Sequence, residues 1–123
     1  MSQQEANQNA IDQNKIQQFI NKAVGDIAGS STAMLVIIGE RLGLYRAMAQ
    51  ANSPISVKEL ADKTGTVERL VSEWLANQVA SGYIEYNPSS RKYRLPPEHA
   101  LVLADENSPR ISTRYFQSYK VIL

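Results

Sequence analysis

From Ile55 to Leu95 the chain reads ISVKELADKTGTVERLVSEWLANQVASGYIEYNPSSRKYRL, and no other stretch restricts its fold so tightly. Ser56 precedes Glu59 by three residues, so its hydroxyl and the Glu59 carboxylate can reciprocally satisfy free backbone N–H groups at a helix start. A helix beginning at Val57 puts Val57, Leu60 and Ala61 on one face and Lys58, Glu59, Asp62 and Lys63 on the other. Gly65 should end it, because glycine accepts the left-handed backbone of a helix terminus without a side-chain clash. Thr66 is the expected cap of a second helix, in which Val67, Leu70, Val71, Trp74, Leu75 and Val79 recur at spacings of three and four. Past Gly82, Tyr83 to Tyr86 alternates as a strand does, Asn87-Pro88-Ser89-Ser90 supplies a turn, and Lys92 to Leu95 returns as a second strand. The fold class is therefore mainly α with a small β-hairpin: a winged helix-turn-helix preceded by two N-terminal helices.

Those two helices come before Asn52-Ser53-Pro54, which reads as a turn. Residues 1–14 are rich in glutamine and asparagine, too poor in apolar side chains to offset the entropy of ordering, and are expected to be a disordered tail. Ile16, Phe19, Ile20, Ala23, Val24 and Ile27 then form a helical stripe opposite Gln17, Gln18, Asn21, Lys22 and Asp26. Ser30, Ser31 and Thr32 read as a capping cluster that opens a second helix, AMLVIIGERLGL, apolar nearly all round for its first two turns. Gly43 should break that helix, with one further helical turn or two from Tyr45 to Ala51. Together the helices carry more apolar area than a minimal winged helix needs, and a homodimer is the structural expectation. The domain thus runs over residues 15–109. Pro96-Pro97 stops the returning strand, and Glu98 to Leu103 reads as a short helix. Residues 110–123 show no clear period and end on Val121, Ile122 and Leu123, which suggests the start of a domain that normally follows.

Enzymatic machinery is scarce. The single histidine, His99, has no second histidine and no cysteine to join it, whereas a metal site needs three or four ligands, so a structural or surface role is expected. The glycines never form GxGxxG or a phosphate loop, which leaves nucleotide cradling unsupported. Cysteine is absent, which fits a reducing cytoplasm. The opening MSQQEANQNAIDQN lacks a secretory signal's basic and apolar regions, and the longest apolar run, Met34 to Ile38, is far short of the roughly 20 residues of a membrane span. A soluble, cytoplasmic protein with no membrane partner, no metal and no cofactor is expected.

Nucleic acid binding can be weighed by charge. The net charge is only +1, so any case for DNA must be local. Between Ser56 and Tyr86 the bases Lys58, Lys63 and Arg69 are outnumbered by Glu59, Asp62, Glu68, Glu73 and Glu85, an arrangement that repels a polyanion. Only the wing offers a positive cluster, Arg91, Lys92 and Arg94. A transcriptional regulator is therefore the alternative: Arg69, Ser72 and Asn77 would enter the major groove while the wing cations hold phosphates.

The ERLGLYRAM run, the LADKTG turn, the SEWLANQVASG helix, the GYIEY strand and the LPPEHALVLAD segment occur in order. Over about Ile27 to Pro109 they closely resemble the N-terminal region of class I S-adenosylmethionine-dependent methyltransferases. The resemblance implies a winged-helix region that mediates dimerisation and helps close an acceptor pocket, with a separate Rossmann-like domain for the methyl donor. No glycine follows Gly82, and only residues 110–123 follow Pro109, so the glycine-rich donor loop is missing and no catalytic or donor-binding residue carries over. On its own the chain is expected not to be an enzyme. Expected partners are a second copy, a small-molecule acceptor or a separate methyltransferase domain; a lining for an acceptor would come from Met34, Ile38, Leu42 and Tyr45.

Overall fold

A computed structural model describes residues 10–104; what the sequence suggests for residues 1–9 and 105–123 lies outside the described residues. In order come α1 (Gln13–Arg41), α2 (Leu44–Ala51), α3 (Val57–Thr64), α4 (Glu68–Ala80), β1 (Glu85–Asn87), β2 (Lys92–Arg94) and α5 (Pro97–Leu103). The winged helix-turn-helix is the fold of this chain.

The N-terminal region departs from expectation in two ways. Helix begins inside the glutamine- and asparagine-rich tail, because Asp12 caps it: the carboxylate accepts from the backbone N–H of Asn14 (2.9 Å) and Lys15 (3.4 Å). One helix, rather than two, then runs through Ser30–Thr32. Ser30 caps nothing there; its hydroxyl donates back to Asp26 O (3.0 Å), the alternative open to serine inside a helix. By compactness the chain divides into two units at Ser31. In the first, residues 16–27 carry Ile16, Phe19, Ile20, Val24 and Ile27 exposed on one side of α1, while Lys22 and Asp26 pair at 2.7 Å on another. By length and composition α1 also suffices to cross a bilayer, since helix continuity joins apolar residues that the contiguous run Met34–Ile38 does not.

The second unit holds the core. Val36, Leu44, Tyr45, Met48, Ile55, Leu60, Trp74, Leu75 and Ile84 are all buried and form one cluster. Gly43 (φ 74) turns the chain from α1 into α2, and Gly65 (φ 64) ends α3, its N–H donating to Ala61 O. At the start of α3 the cap is only half as expected. Ser56 Oγ accepts from Glu59 N (3.2 Å), but the Glu59 carboxylate takes the Ser56 hydroxyl (3.1 Å) rather than a backbone N–H. Thr66 does not cap α4, because its hydroxyl is engaged with that of Thr64 (2.7 Å); Val67 occupies the cap position without a side-chain bond.

The wing pairs antiparallel with Glu85 opposite Arg94, Tyr86 opposite Tyr93 and Asn87 opposite Lys92. Its first strand starts later than the alternation from Tyr83 suggests. Tyr83 N and Ile84 N still donate to Gln78 O (2.9 and 3.3 Å), tying that stretch to the end of α4. Ile55 adds a third short rung, exchanging both backbone bonds with Tyr93 (2.9 and 2.8 Å) and so fixing the wing to the start of α3.

Candidate functional site

Two residues of the α4 stripe do not join the core. Val67 and Leu70 are 61% and 62% exposed. They lie on the first turns of α4 and form one wall of an apolar cleft of about 530 Å³, with Leu35, Ile38 and Leu42 opposite and Trp74 at its base. Thr66 and Glu73 are the polar groups at its margin. A cleft of this size and chemistry suits an apolar or aromatic guest, or an apolar side-chain row from a partner.

Trp74 is fixed from three sides. Its Nε1–H donates to Leu35 O (2.8 Å), its ring meets that of Tyr45 edge-on at 5.0 Å, and it lies directly against Gly39, where a Cβ would fall 2.8 and 2.9 Å from Cε2 and Nε1. Tyr45 in turn donates its hydroxyl to Gln78 Oε1, and Gln78 is wholly buried. Gln78 Nε2 donates to Asn77 Oδ1 (3.2 Å), completing a polar seam inside an otherwise apolar core. Burial, then the neighbouring Tyr83 and Glu40, pushes the Tyr45 phenol well above its ordinary range, so it is a neutral donor and not a base.

Of the residues proposed for an acceptor lining, Ile38 and Leu42 do line the cleft. Met34 is 55% exposed on α1 and does not, and Tyr45 cannot, being 0% exposed beneath Trp74 and Gln78. Val67, Leu70, Leu35 and Trp74 also line the cleft; in the sequence the α4 residues share one helical stripe and Leu35 lies in an apolar run, and neither pattern distinguishes a residue at the rim from one at the centre.

The residues proposed for DNA contact fall in two places. Arg69 and Ser72 are exposed on α4, in a depression shared with the acidic Glu68 and Glu73. Asn77 is half-buried and accepts from Gln78, so it faces the seam more than a groove reader would. In the wing, Arg94 pairs with Glu85 (2.9 Å) and Lys92 lies 3.9 Å from Glu59. Arg91 is exposed at the hairpin tip with φ 54. Two of the three wing cations thus have carboxylates beside them, which weakens the positive patch. His99 Nδ1 is 2.7 Å from Tyr83 O; only a protonated nitrogen can make that bond, and it ties α5 to the segment leading into the wing. Among the described residues no cluster of three or more His, Cys, Asp or Glu could hold a metal ion.

The family model of the Rv2258c-like winged HTH domain matches residues 30–105. No curated protein matches the chain significantly. Among solved structures, PigF with SAH is similar, with a TM-score of 0.66 at 18% identity, over 84% of this chain and 32% of that one. A putative O-methyltransferase from Nostoc punctiforme aligns with a TM-score of 0.57 at 22% identity, over 71% of this chain and 24% of its own. Human N-acetylserotonin methyltransferase in complex with SAM aligns at 0.66 and 16% identity, over 89% and 32%. The chain spans no more than 32% of the length of any of these three, and at such identities the likeness is one of fold.

Proposed function

The chain belongs to the Rv2258c-like winged HTH domain family, and on that footing we propose that it is a methyltransferase-type N-terminal winged-helix domain, acting in dimerisation and in capping of an acceptor substrate. The methyl-donor site belongs to a separate domain. The similar methyltransferase structures support the domain type, and the cysteine-free composition fits a cytoplasmic setting.

One observation carries the pairing: Ile16, Phe19, Ile20, Val24 and Ile27 are 40–70% exposed at helical spacing along α1. That row presents on the order of 500 Å² of apolar surface, at the upper end of what a monomer leaves open in one patch. Two such rows meeting would remove roughly 1,000 Å² from water, the lower bound for a specific interface. Polar Gln17, Gln18 and Asn21 on the other side of the helix would stay wet. The cleft of Ile38, Leu42, Leu70 and Trp74 supplies the capping surface, since it is apolar, open to solvent and lies within the unit that holds the core.

Sedimentation of the chain tests the pairing. A dimer is expected, and Phe19→Asp with Ile27→Asp should yield a monomer with unchanged Trp74 emission. A monomer at high concentration, or a double variant that still pairs, would refute it. The helix-turn-helix favours a second reading as a DNA-binding regulator. Binding to mixed duplex DNA at low salt that weakens steeply as salt rises would select that reading instead.

A further inference from the structure

The apolar cleft lies wholly within the unit from Thr32 onward, and its margin carries the polar side chains Thr66 and Glu73. What each can offer a guest is set by the bonds already made. Thr64 Oγ1 lies 2.8 Å from Leu60 O, and since a carbonyl can only accept, Thr64 spends its proton there. In the 2.7 Å contact between the Thr64 and Thr66 hydroxyls, Thr66 is therefore the donor, and only its lone pairs are left for the cleft. Trp74 brings an N–H to the base, but that proton goes to Leu35 O (2.8 Å). Glu73 is exposed, and its carboxylate takes no part in the ion pairs among the described residues. Arg69 shares the neighbouring depression with Glu73 but neither pairs with it nor lines the cleft. The rest of the lining is aliphatic. The side chains of the cleft thus offer acceptors and negative charge, and no free donor. The positive end of α4 opposes that bias, but Glu68 in its first turn offsets it.

We propose that the guest of this cleft is an apolar or aromatic amine, protonated at neutral pH, with its apolar body against Leu70 and Trp74 and its ammonium group at Glu73 and Thr66. An ammonium supplies both the donors and the positive charge that this margin lacks. A carboxylate or phosphate duplicates what the margin already holds, so it is repelled by Glu73 and finds no side-chain donor. This assignment rests on the cleft being the capping surface proposed above, and it names the class of acceptor that is capped.

Calorimetric titration of the full chain with naphthylmethylamine, naphthylmethanol and naphthoate, at neutral pH and low salt, varies the head group on one aromatic body. The amine should bind more tightly than the alcohol by on the order of fivefold, the scale of an exposed charge pair, and the carboxylate more weakly than either. Added salt should shrink the amine's advantage. Glu73→Gln should bring the amine down to the alcohol's affinity without changing the alcohol's. Leu70→Trp, which fills the cleft from an exposed position, should weaken all the probes alike. Far-UV circular dichroism checks that both variants are folded. If the alcohol or the carboxylate binds as tightly as the amine, and Leu70→Trp weakens that binding, the cleft remains a capping surface but the amine is wrong. If no probe binds, or Leu70→Trp changes nothing, both readings of the cleft fall.

Discussion

Replacing Gly39 by alanine should destabilise the protein, although alanine is the better helix former. The propensity gain is about 1 kcal/mol for a helix interior. Against it stands Trp74, whose Cε2 and Nε1 would lie 2.8 and 2.9 Å from the new methyl, well inside contact distance. The indole cannot step aside cheaply, because it is 4% exposed, rests edge-on against Tyr45 and donates to Leu35 O. Forcing an extra methyl into a filled core costs about 1–3 kcal/mol, and displacing the indole from Leu35 O forfeits roughly 1 kcal/mol more. The net loss is about 1–3 kcal/mol, which for a unit of this size lowers Tm on the order of 10 °C. Trp74 is the only tryptophan, so urea unfolding followed by its emission reports directly on the perturbed contact. Protomer concentration must be held constant, since pairing shifts the midpoint by mass action. Gly29→Ala in the same helix is the internal control: with open space around its Cβ it should raise far-UV helicity without lowering the midpoint. A Gly39→Ala protein as stable as its parent, with unaltered emission, would refute the close approach of Trp74 to α1.

Tyr45→Phe keeps the ring against Trp74 but leaves the buried Gln78 Oε1 without its donor, and should cost about 1–3 kcal/mol by the same urea assay; an unchanged midpoint would contradict the seam. The raised Tyr45 pKa also fixes a pH dependence. The folded state holds the phenol proton more tightly than the unfolded chain, so this contribution is complete below the unfolded value of about 10 and is lost as pH rises through the alkaline range above it. Parent stability should therefore fall above about pH 10, and Tyr45→Phe should fall less steeply, the remainder coming partly from Tyr93, which burial shifts the same way. Ser56→Ala, which removes the bond from Glu59 N, should cost about 1 kcal/mol, and Thr66→Ala less, because Thr66 caps no helix. A larger loss at Thr66 would reverse that assignment of caps.

Local chemistry made much of the fold legible. The Ser56 cap, the glycine terminators and the three-four spacing of Val71, Trp74 and Leu75 each act within a few residues, so a helix-turn-helix followed by a hairpin could be read directly. Three features escaped. Gln78 sits among the apolar residues of α4 as a polar exception, and only the hydroxyl of Tyr45, far away in sequence, explains its burial. Ile55 is a single residue whose strand-like pairing exists only because Tyr93 comes to meet it. The third is the cleft: Val67 and Leu70 share one spacing with the buried Val71, Trp74 and Leu75, and only packing leaves the first two open.

By itself the sequence determined the two helices, the turn between them and the hairpin from Ser56 onward, because these follow from backbone preferences and side-chain period over short range. Only the tertiary structure decided which apolar residues are core and which remain open, since that depends on what packs opposite each face. The structure also has Ser30–Thr32 inside one helix rather than between two, an arrangement that the hydroxyls satisfy locally as well as they would a helix cap.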